Sequence, residues 1–293
     1  MQTIPLQDIP HFLGERPYGR ARSGVVRVQC PEASVLVPFR YFQKAKSDRL
    51  IVSFNGAVDR RVKPNGIVFQ RSTWADDFPA SILFLSDPAL LDNSLSLAWG
   101  QISRLYSFGP IAMRVARAFA RVVASSKPPV IYFGTSAGGF QAASASAYDH
   151  NSVCVVNNAQ FDWTKYDGQR HVDACLERLG FVERDIPEDF LSRTSIYHQL
   201  RQNRQTLNLI YLLNESSVVD VETQLPVYEK ISEICASTRL VKYRDEKAGH
   251  DPLQKEPLMG WLRAVVDGTS SWNLDSASKT GFQDLMTVEV ACH

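Results

Sequence analysis

The sequence predicts an α/β fold: a mostly parallel central sheet with an antiparallel N-terminal hairpin and helices on both faces. Two observations carry that prediction. Short apolar runs alternate with segments of helical periodicity through most of the 293 residues, as expected of strands buried on both faces between covering helices. Near the N-terminus two strand-like runs are joined by a short turn instead of a helix, which makes them a hairpin.

Taken in order, Val25 to Cys30 and Ser34 to Phe42 are the hairpin strands, turning at Pro31-Glu32. Arg49 to Phe54 (RLIVSF) ends in Asn55-Gly56, and Ser81 to Leu85 (SILFL) ends in Ser86-Asp87-Pro88. Both are continuous apolar runs of the buried parallel kind. Ile111 to Ser125 repeats its apolar residues with helical spacing and sets Arg114, Arg117 and Arg121 on one face, an amphipathic helix. Val130 to Phe133 is a strand, followed by a glycine-rich turn and an Ala/Ser-rich helix from Gly138 to Tyr148. Ser152 to Asn157, Leu207 to Leu213 and Arg239 to Tyr243 continue the sheet, with helices over Leu225 to Ala236 and Pro257 to Val266. The charged stretch from Asp162 to Arg204 has helical pieces and no strand signal. It is expected to be a cap inserted into a single domain, with Trp163, Tyr166, Phe181 and Phe190 facing the cleft. Residues 268–293 read as an irregular polar tail.

Composition excludes several function classes. Lys plus Arg number 32 and Asp plus Glu 31, so there is no basic excess to hold nucleic acid or an anionic membrane. Apolar residues at 44% and charged residues at 22% argue against a disordered chain. Cys30, Cys154, Cys175, Cys235 and Cys292 are odd in number and form no CxxC pair, which speaks against a disulfide framework or a zinc site. Met1 to Leu13 holds Asp8, Pro5 and Pro10 and lacks the apolar run of a signal peptide. The longest uncharged stretch, between Lys127 and Asp149, is broken by Pro128 and Pro129 and is rich in Ser, Thr and Gly, unlike a membrane span. The expected protein is cytoplasmic, without metal or cofactor. No GxGxxG fingerprint, P-loop or metal-ligand cluster is present.

The informative segment is Gly134-Thr135-Ser136-Ala137-Gly138-Gly139, a G-x-S-x-G string between an apolar strand and a small-residue helix. A strand turning sharply into a helix strains the backbone of its apex residue, and side chains at the flanking positions would clash. The apex hydroxyl then stands above the sheet, and the helix aims its N-terminal amides at the same point. That setting makes Ser136 a candidate nucleophile; the string alone would fit a structural turn.

From Val25 to Val266 the chain resembles the α/β-hydrolase superfamily, in its order of elements and in this motif. The resemblance implies a nucleophile, an acid and a histidine in that chain order. His250, in Ala248-Gly249-His250-Asp251-Pro252, follows the last strand and takes the general-base position. A hydroxyl is a weak nucleophile at neutral pH unless an imidazole removes its proton, and the imidazole needs a carboxylate to fix its tautomer. Two carboxylates follow the Leu207–Leu213 strand: Asp220, preferred by its spacing to His250, and Glu215, nearer the strand end. Asp220 also suits an N-cap for a helix beginning near Val221. The implied oxyanion donors are the amide of Ala137 and that of Gly56 or Ala57, although Asn55-Gly56 equally fits a plain turn. Arg60 and Arg61 follow that loop and are candidates for holding an anionic substrate group. Trp74, Trp99 and Trp163 are candidates for the substrate cleft.

The strings Asn55-Gly56-Ala57 and Ser86-Asp87-Pro88, with Trp99 beyond, are also similar to α/β-hydrolase-like proteins of bacterial surface-polysaccharide and accessory-secretion systems. Those proteins are associated with acyl or acetyl groups on glycans. The expected function is thus a serine hydrolase or acyltransferase acting on a small-molecule or glycan ester through a Ser136 acyl-enzyme. A noncatalytic scaffold of the same fold and a peptidase remain as alternatives.

Overall fold

In the computed structural model, which describes residues 1–14, 22–45, 47–91, 93–123, 129–182, 184–235 and 237–268, the chain opens with β1 (Gln2–Pro5) and α1 (Ile9–Gly14). The hairpin follows as β2 (Arg22–Cys30) and β3 (Val35–Gln43), then β4 (Leu50–Phe54), β5 (Ser81–Leu85) and α2 (Phe108–Val123). Next come β6 (Val130–Thr135), α3 (Ala137–Ala147) and β7 (Ser152–Asn157). The segment after β7 holds α4 (Gln169–Arg178), α5 (Leu191–Thr194) and α6 (Ile196–Asn203). The chain closes with β8 (Asn208–Asn214), α7 (Leu225–Ile234), β9 (Ser237–Tyr243) and α8 (Lys255–Gly268). Residues 269–293, with the expected tail and Cys292, lie outside the described residues, as do the expected helix ends at Ser125 and Ala236.

The nine strands form one sheet in the order β1-β2-β3-β5-β4-β6-β7-β8-β9. Every described pairing is parallel except those of β3, which runs against both β2 and β5. The expected hairpin is therefore present, and β3 alone opposes the common direction. β1 and α1 are additions to the sequence expectation. β1 has one buried residue, Ile4, and ends in Pro5, a pattern too short to announce a strand and tolerated because it lies at the sheet edge.

Period-two alternation splits the apolar runs between two cores. Val52, Leu83, Tyr132, Val156 and Tyr211 pack on one face with α2, α3, α6 and α7. Ile51, Phe84, Phe133, Val155 and Leu212 pack on the other with Phe78 and α8. Helices thus cover both faces. α3 is buried along its whole length, which its Ala, Ser and Gly composition permits by keeping the helix close to the sheet. On α2, Arg114 pairs with Glu32 and Arg117 with Asp149, which also accepts a 2.9 Å hydrogen bond from the buried Tyr132 hydroxyl.

Among its described residues, the segment from Asp162 to Arg204 carries helices and, apart from a single bridge between Asp162 and Ser195, no strand. Its large aromatics differ from expectation. Trp163 is fully buried, stacked on Trp99 at 5.1 Å and 16°, and its indole nitrogen donates to the Arg193 carbonyl at 2.9 Å. Phe181 and Phe190 are buried edge to face against each other at 4.6 Å. These three rings hold the segment down and are not surfaces for a ligand. Tyr166 alone of the four is half-buried.

Candidate active site

The loops after β4, β6, β7, β8 and β9 gather at the carboxyl edge of the parallel strands, where open α/β sheets offer a crevice to ligands. Ser136 is the apex between β6 and α3, with φ 53° and ψ −125°. Such a conformation in a non-glycine residue costs about 1–3 kcal/mol and persists only where its surroundings fix it. Here the Ser136 amide donates to the Asn157 carbonyl at 3.2 Å, and its own carbonyl accepts from Gly139 at 3.0 Å and Gln160 at 3.2 Å. The flanking glycines are steric requirements. A Cβ on Gly134 would collide with the Gly138 carbonyl, and one on Gly138 would meet the Phe54 carbonyl oxygen at 2.9 Å.

His250 lies in the loop between β9 and α8. Its Nε2 is 2.9 Å from Ser136 Oγ, and its Nδ1 is 2.7 Å from Asp220 Oδ2. A carboxylate oxygen only accepts, so Nδ1 donates to Asp220 and Nε2 is left to accept the serine proton. Asp220 is buried, and the Ser217 hydroxyl donates to the same Oδ2 at 2.5 Å. Burial works against a charge on His250. The hydrogen bond and charge of Asp220, with Asp167 and Asp251 behind them, outweigh it and hold its pKa above the ordinary 6.5. The imidazole keeps 35% of its side-chain surface open, so a substrate can reach it.

Glu215 is not part of this chain of bonds. Its carboxylate is half-exposed and paired with Lys242 at 3.2 Å, while its amide donates to the Tyr243 carbonyl. Asp220 caps no helix; it opens an irregular π-helical turn, Asp220–Gln224, ahead of α7. The elements thus bring Ser136, His250 and Asp220 together and leave Glu215 aside.

Three asparagines, absent from the sequence expectations, brace the His250 loop. Asn158 Nδ2 lies 3.1–3.4 Å from the carbonyl oxygens of Gly249, His250 and Asp251. Asn214 Nδ2 donates to the Asp245 and Gly249 carbonyls at 2.8 Å, and its Oδ1 accepts from the Asp245 amide at 2.9 Å. Asn157 Oδ1 accepts from the Leu253 amide at 2.8 Å. All three are fully buried. Their one sequence signal is polarity at the carboxyl end of an apolar strand, in Val156-Asn157-Asn158 and Leu213-Asn214.

On the opposite side, Ala137 is the first residue of α3, so its amide has no intrahelical partner. The Gly56 amide is taken: it donates to Gln70 Oε1 at 3.0 Å. Of the two expected donors after β4, the exposed Ala57 remains for a ligand. The Arg60–Arg61 expectation is also corrected. Arg60 donates to the carbonyls of Leu95 at 2.6 Å, Leu90 at 2.6 Å and Pro64 at 3.2 Å, a loop staple. Arg61 is 91% exposed and chelated by Asp59. Trp99 is buried with φ 48°, donating to Gln160 Oε1 at 2.5 Å. Among the described residues, no group of three His, Cys, Asp or Glu side chains is placed to hold a metal ion, and no helix is long and apolar enough to cross a membrane.

No protein-family model matches the chain, and no curated protein does. Solved structures do. The capsule O-acetyltransferase of Neisseria meningitidis serogroup A superposes with a TM-score of 0.60 at 9% identity, over 80% of this chain and 95% of that one. An S-formylglutathione hydrolase from Agrobacterium tumefaciens gives 0.55 at 12%, over 91% and 98%. The acetyl xylan esterase from Paenibacillus sp. R4 gives 0.50 at 14%, over 88% and 92%. The chain has the α/β-hydrolase fold. At these identities the likeness speaks for the fold alone. Within the α/β-hydrolase fold, the elbow, the histidine loop and the acid loop here meet through the bonds of His250 to Ser136 and Asp220.

Proposed function

We propose that the protein is a serine esterase or acyltransferase that works through an acyl-enzyme on Ser136, with O-acylated glycans as its substrate class. The observation that carries this reading is the unbroken hydrogen-bond chain from Ser136 Oγ through His250 to Asp220, with both contacts under 3 Å. That spacing lies within the range required for proton transfer in the ground state.

His250 Nε2 takes the proton as Ser136 Oγ attacks the ester carbonyl. The carbonyl oxygen becomes an oxyanion facing the amides of Ala137 and Ala57, and preorganised donors of this kind are worth about 10²–10³ in turnover. Collapse breaks the bond to the alcohol, which leaves with the proton from His250. Water, or a sugar hydroxyl, then attacks the acyl-Ser136 ester; His250 takes its proton and returns it to Ser136 Oγ. Asp220 stabilises the imidazolium in both halves without itself taking a proton. The segment from Asp162 to Arg204 serves as the cap. Two observations support its nearness to the site: Asp167 raises the His250 pKa, and Asp220 acts on the half-buried Tyr166. The glycan class is supported by two structural neighbours, a capsule O-acetyltransferase and an acetyl xylan esterase.

A fluorophosphonate probe tests the reading. Mass spectrometry is expected to find the adduct on Ser136, and folded protein that stays unlabelled would refute the enzyme. Release of acetate from acetylated polysaccharide, with and without an added sugar acceptor, separates hydrolysis from transfer.

A further inference from the structure

Arg71 stands apart from the other half-buried arginines of the chain. It follows Gln70, whose side chain occupies the Gly56 amide, and it begins a short 3-10 turn with a left-handed backbone, φ 62°. Its Nη2 donates to Thr135 Oγ1 at 3.1 Å, and Thr135 immediately precedes Ser136. Its guanidinium carbon lies 5.6 Å from the Phe133 ring centre and 5.7 Å from that of Trp74. Two aromatic faces therefore hold the plane of the fork in position. Its Nη1 is buried and meets no acceptor among the described residues.

A guanidinium has five donors in a rigid fork, and the interior normally satisfies them. Arg60 and Arg193 follow that rule. Arg193 donates to Gln101 Oε1 and to the carbonyls of Ser103, Arg104 and Tyr106, all at 2.8–3.3 Å. Arg71 is equally desolvated, and burial alone lowers its pKa to about 10, so it remains charged at neutral pH. The protein nevertheless gives it one hydroxyl and, among the described residues, no carboxylate. A buried cation without a partner is an unfavourable arrangement that an anion relieves. The acids of the crevice, Asp167, Asp220 and Asp251, act on the His250 side. An anionic substrate is therefore repelled at one end of the crevice and attracted at the other.

We propose that Arg71 is the anion-recognising residue of the Ser136 site, binding an oxyanion group of the ester substrate, carboxylate or phosphate, through its guanidinium fork. The charge expected at Arg60 and Arg61 is supplied instead from farther along the same connection between β4 and β5. This inference rests on the reading of Ser136 as the nucleophile and names the substrate class more closely: an ester with a negative group beside the acyl bond.

Three chromogenic or acetate-releasing esters test it: neutral 4-nitrophenyl acetate, 4-nitrophenyl hemisuccinate with its charge on the acyl side, and an O-acetylated sugar phosphate with its charge on the alcohol side. Arg71→Gln is expected to lower kcat/KM on one or both anionic esters about 10- to 100-fold more than on the neutral ester, mainly through KM. Which anionic ester suffers tells on which side the charge binds. Arg71→Lys keeps the charge without the fork and is expected to fall between; it serves also if Arg71→Gln does not fold. Inorganic phosphate is expected to slow fluorophosphonate labelling of Ser136 in the wild type and not in Arg71→Gln. Equal losses on all three esters, or labelling of the wild type that ignores phosphate, would overturn the inference. Absence of Ser136 labelling altogether would instead overturn the enzyme reading, so the two failures are distinguishable.

Discussion

The His250 side and the Arg71 side of Ser136 differ in how their charged groups are partnered. On the His250 side, Asn158 and Asn214 hold the histidine loop by its backbone, and Ser217 and His250 share one oxygen of Asp220, whose other oxygen meets no donor among the described residues. On the Arg71 side, a charged fork is packed between rings and left short of acceptors. A network of bonds that holds the histidine loop and one oxygen of Asp220 fixes geometry for a proton transfer that is the same for every ester. A cation with no carboxylate among the described residues has charge left for something outside the chain. On the proposed reading, the first side carries the chemistry and the second the selectivity.

The largest break in that comparison is at Asp220. Asp220→Asn keeps the shape but presents an amide that cannot stabilise the imidazolium, and turnover is expected to fall about 10⁴-fold. Glu215→Gln, which disturbs only a half-exposed pair with Lys242, is expected to leave turnover unchanged. Steady-state kinetics on one neutral ester decides both; the opposite ranking would move the acid to Glu215.

A smaller effect is expected at Asn214. Asn214→Ala removes three bonds to the His250 loop. A displacement of the imidazole by about 1 Å costs on the order of 10²-fold in kcat. Because the residue positions the base without touching substrate, kcat is expected to fall with KM nearly unchanged. The acid limb of the pH profile moves as well, since the contact to Asp220 loosens. Loss of stability with normal kcat in the folded fraction would make Asn214 structural only.

Much of the His250 side was legible in the sequence, and most of the Arg71 side was not. The Ser136 elbow announces itself because a strained turn demands glycines at set positions, and Gly134 and Gly138 stand where a Cβ has no room. His250 is legible by chain order. Asp220 against Glu215 was not resolvable, because spacing along the chain does not say how a loop of irregular helix turns its side chains. Arg71 was invisible for a different reason. It is separated from Thr135 by 64 positions, and only the packing of β4 beside β6 brings the two loops together. The aromatics of the 162–204 segment misled because burial under a helical layer and exposure to a cleft share one composition; Trp163 stacks on Trp99 and the two rings cover each other.

Proton balance offers a finer probe. With the His250 pKa raised above 6.5, the neutral base is lost as pH falls through that raised value, so the acid limb of kcat/KM is expected above 6.5. Asp167, from the segment proposed as the cap, contributes to that raise. Asp167→Asn removes a charge that stabilises the imidazolium, lowers the pKa and carries the limb to lower pH. Activity is then kept further into the acid range. A limb that stays where it is would place the cap segment too far from His250 to serve as a cover.

The smallest effects are expected at the two arginines that the chain itself satisfies. Arg61 is held by Asp59 in solvent, and Arg61→Ala is expected to change neither thermal stability nor selectivity between neutral and anionic esters. Arg60→Met differs in kind. It leaves the carbonyls of Leu90 and Leu95 without their donor, and buried acceptors stripped of a partner cost about 1–3 kcal/mol, so the melting temperature falls. Yet the guanidinium of Arg60 is already spent on those carbonyls, and the ratio of anionic to neutral kcat/KM is expected to hold. A shift in that ratio for Arg60→Met, and none for Arg71→Gln, would reverse the assignment of the two arginines. The comparison would then turn on a charge that the protein appeared to have used up.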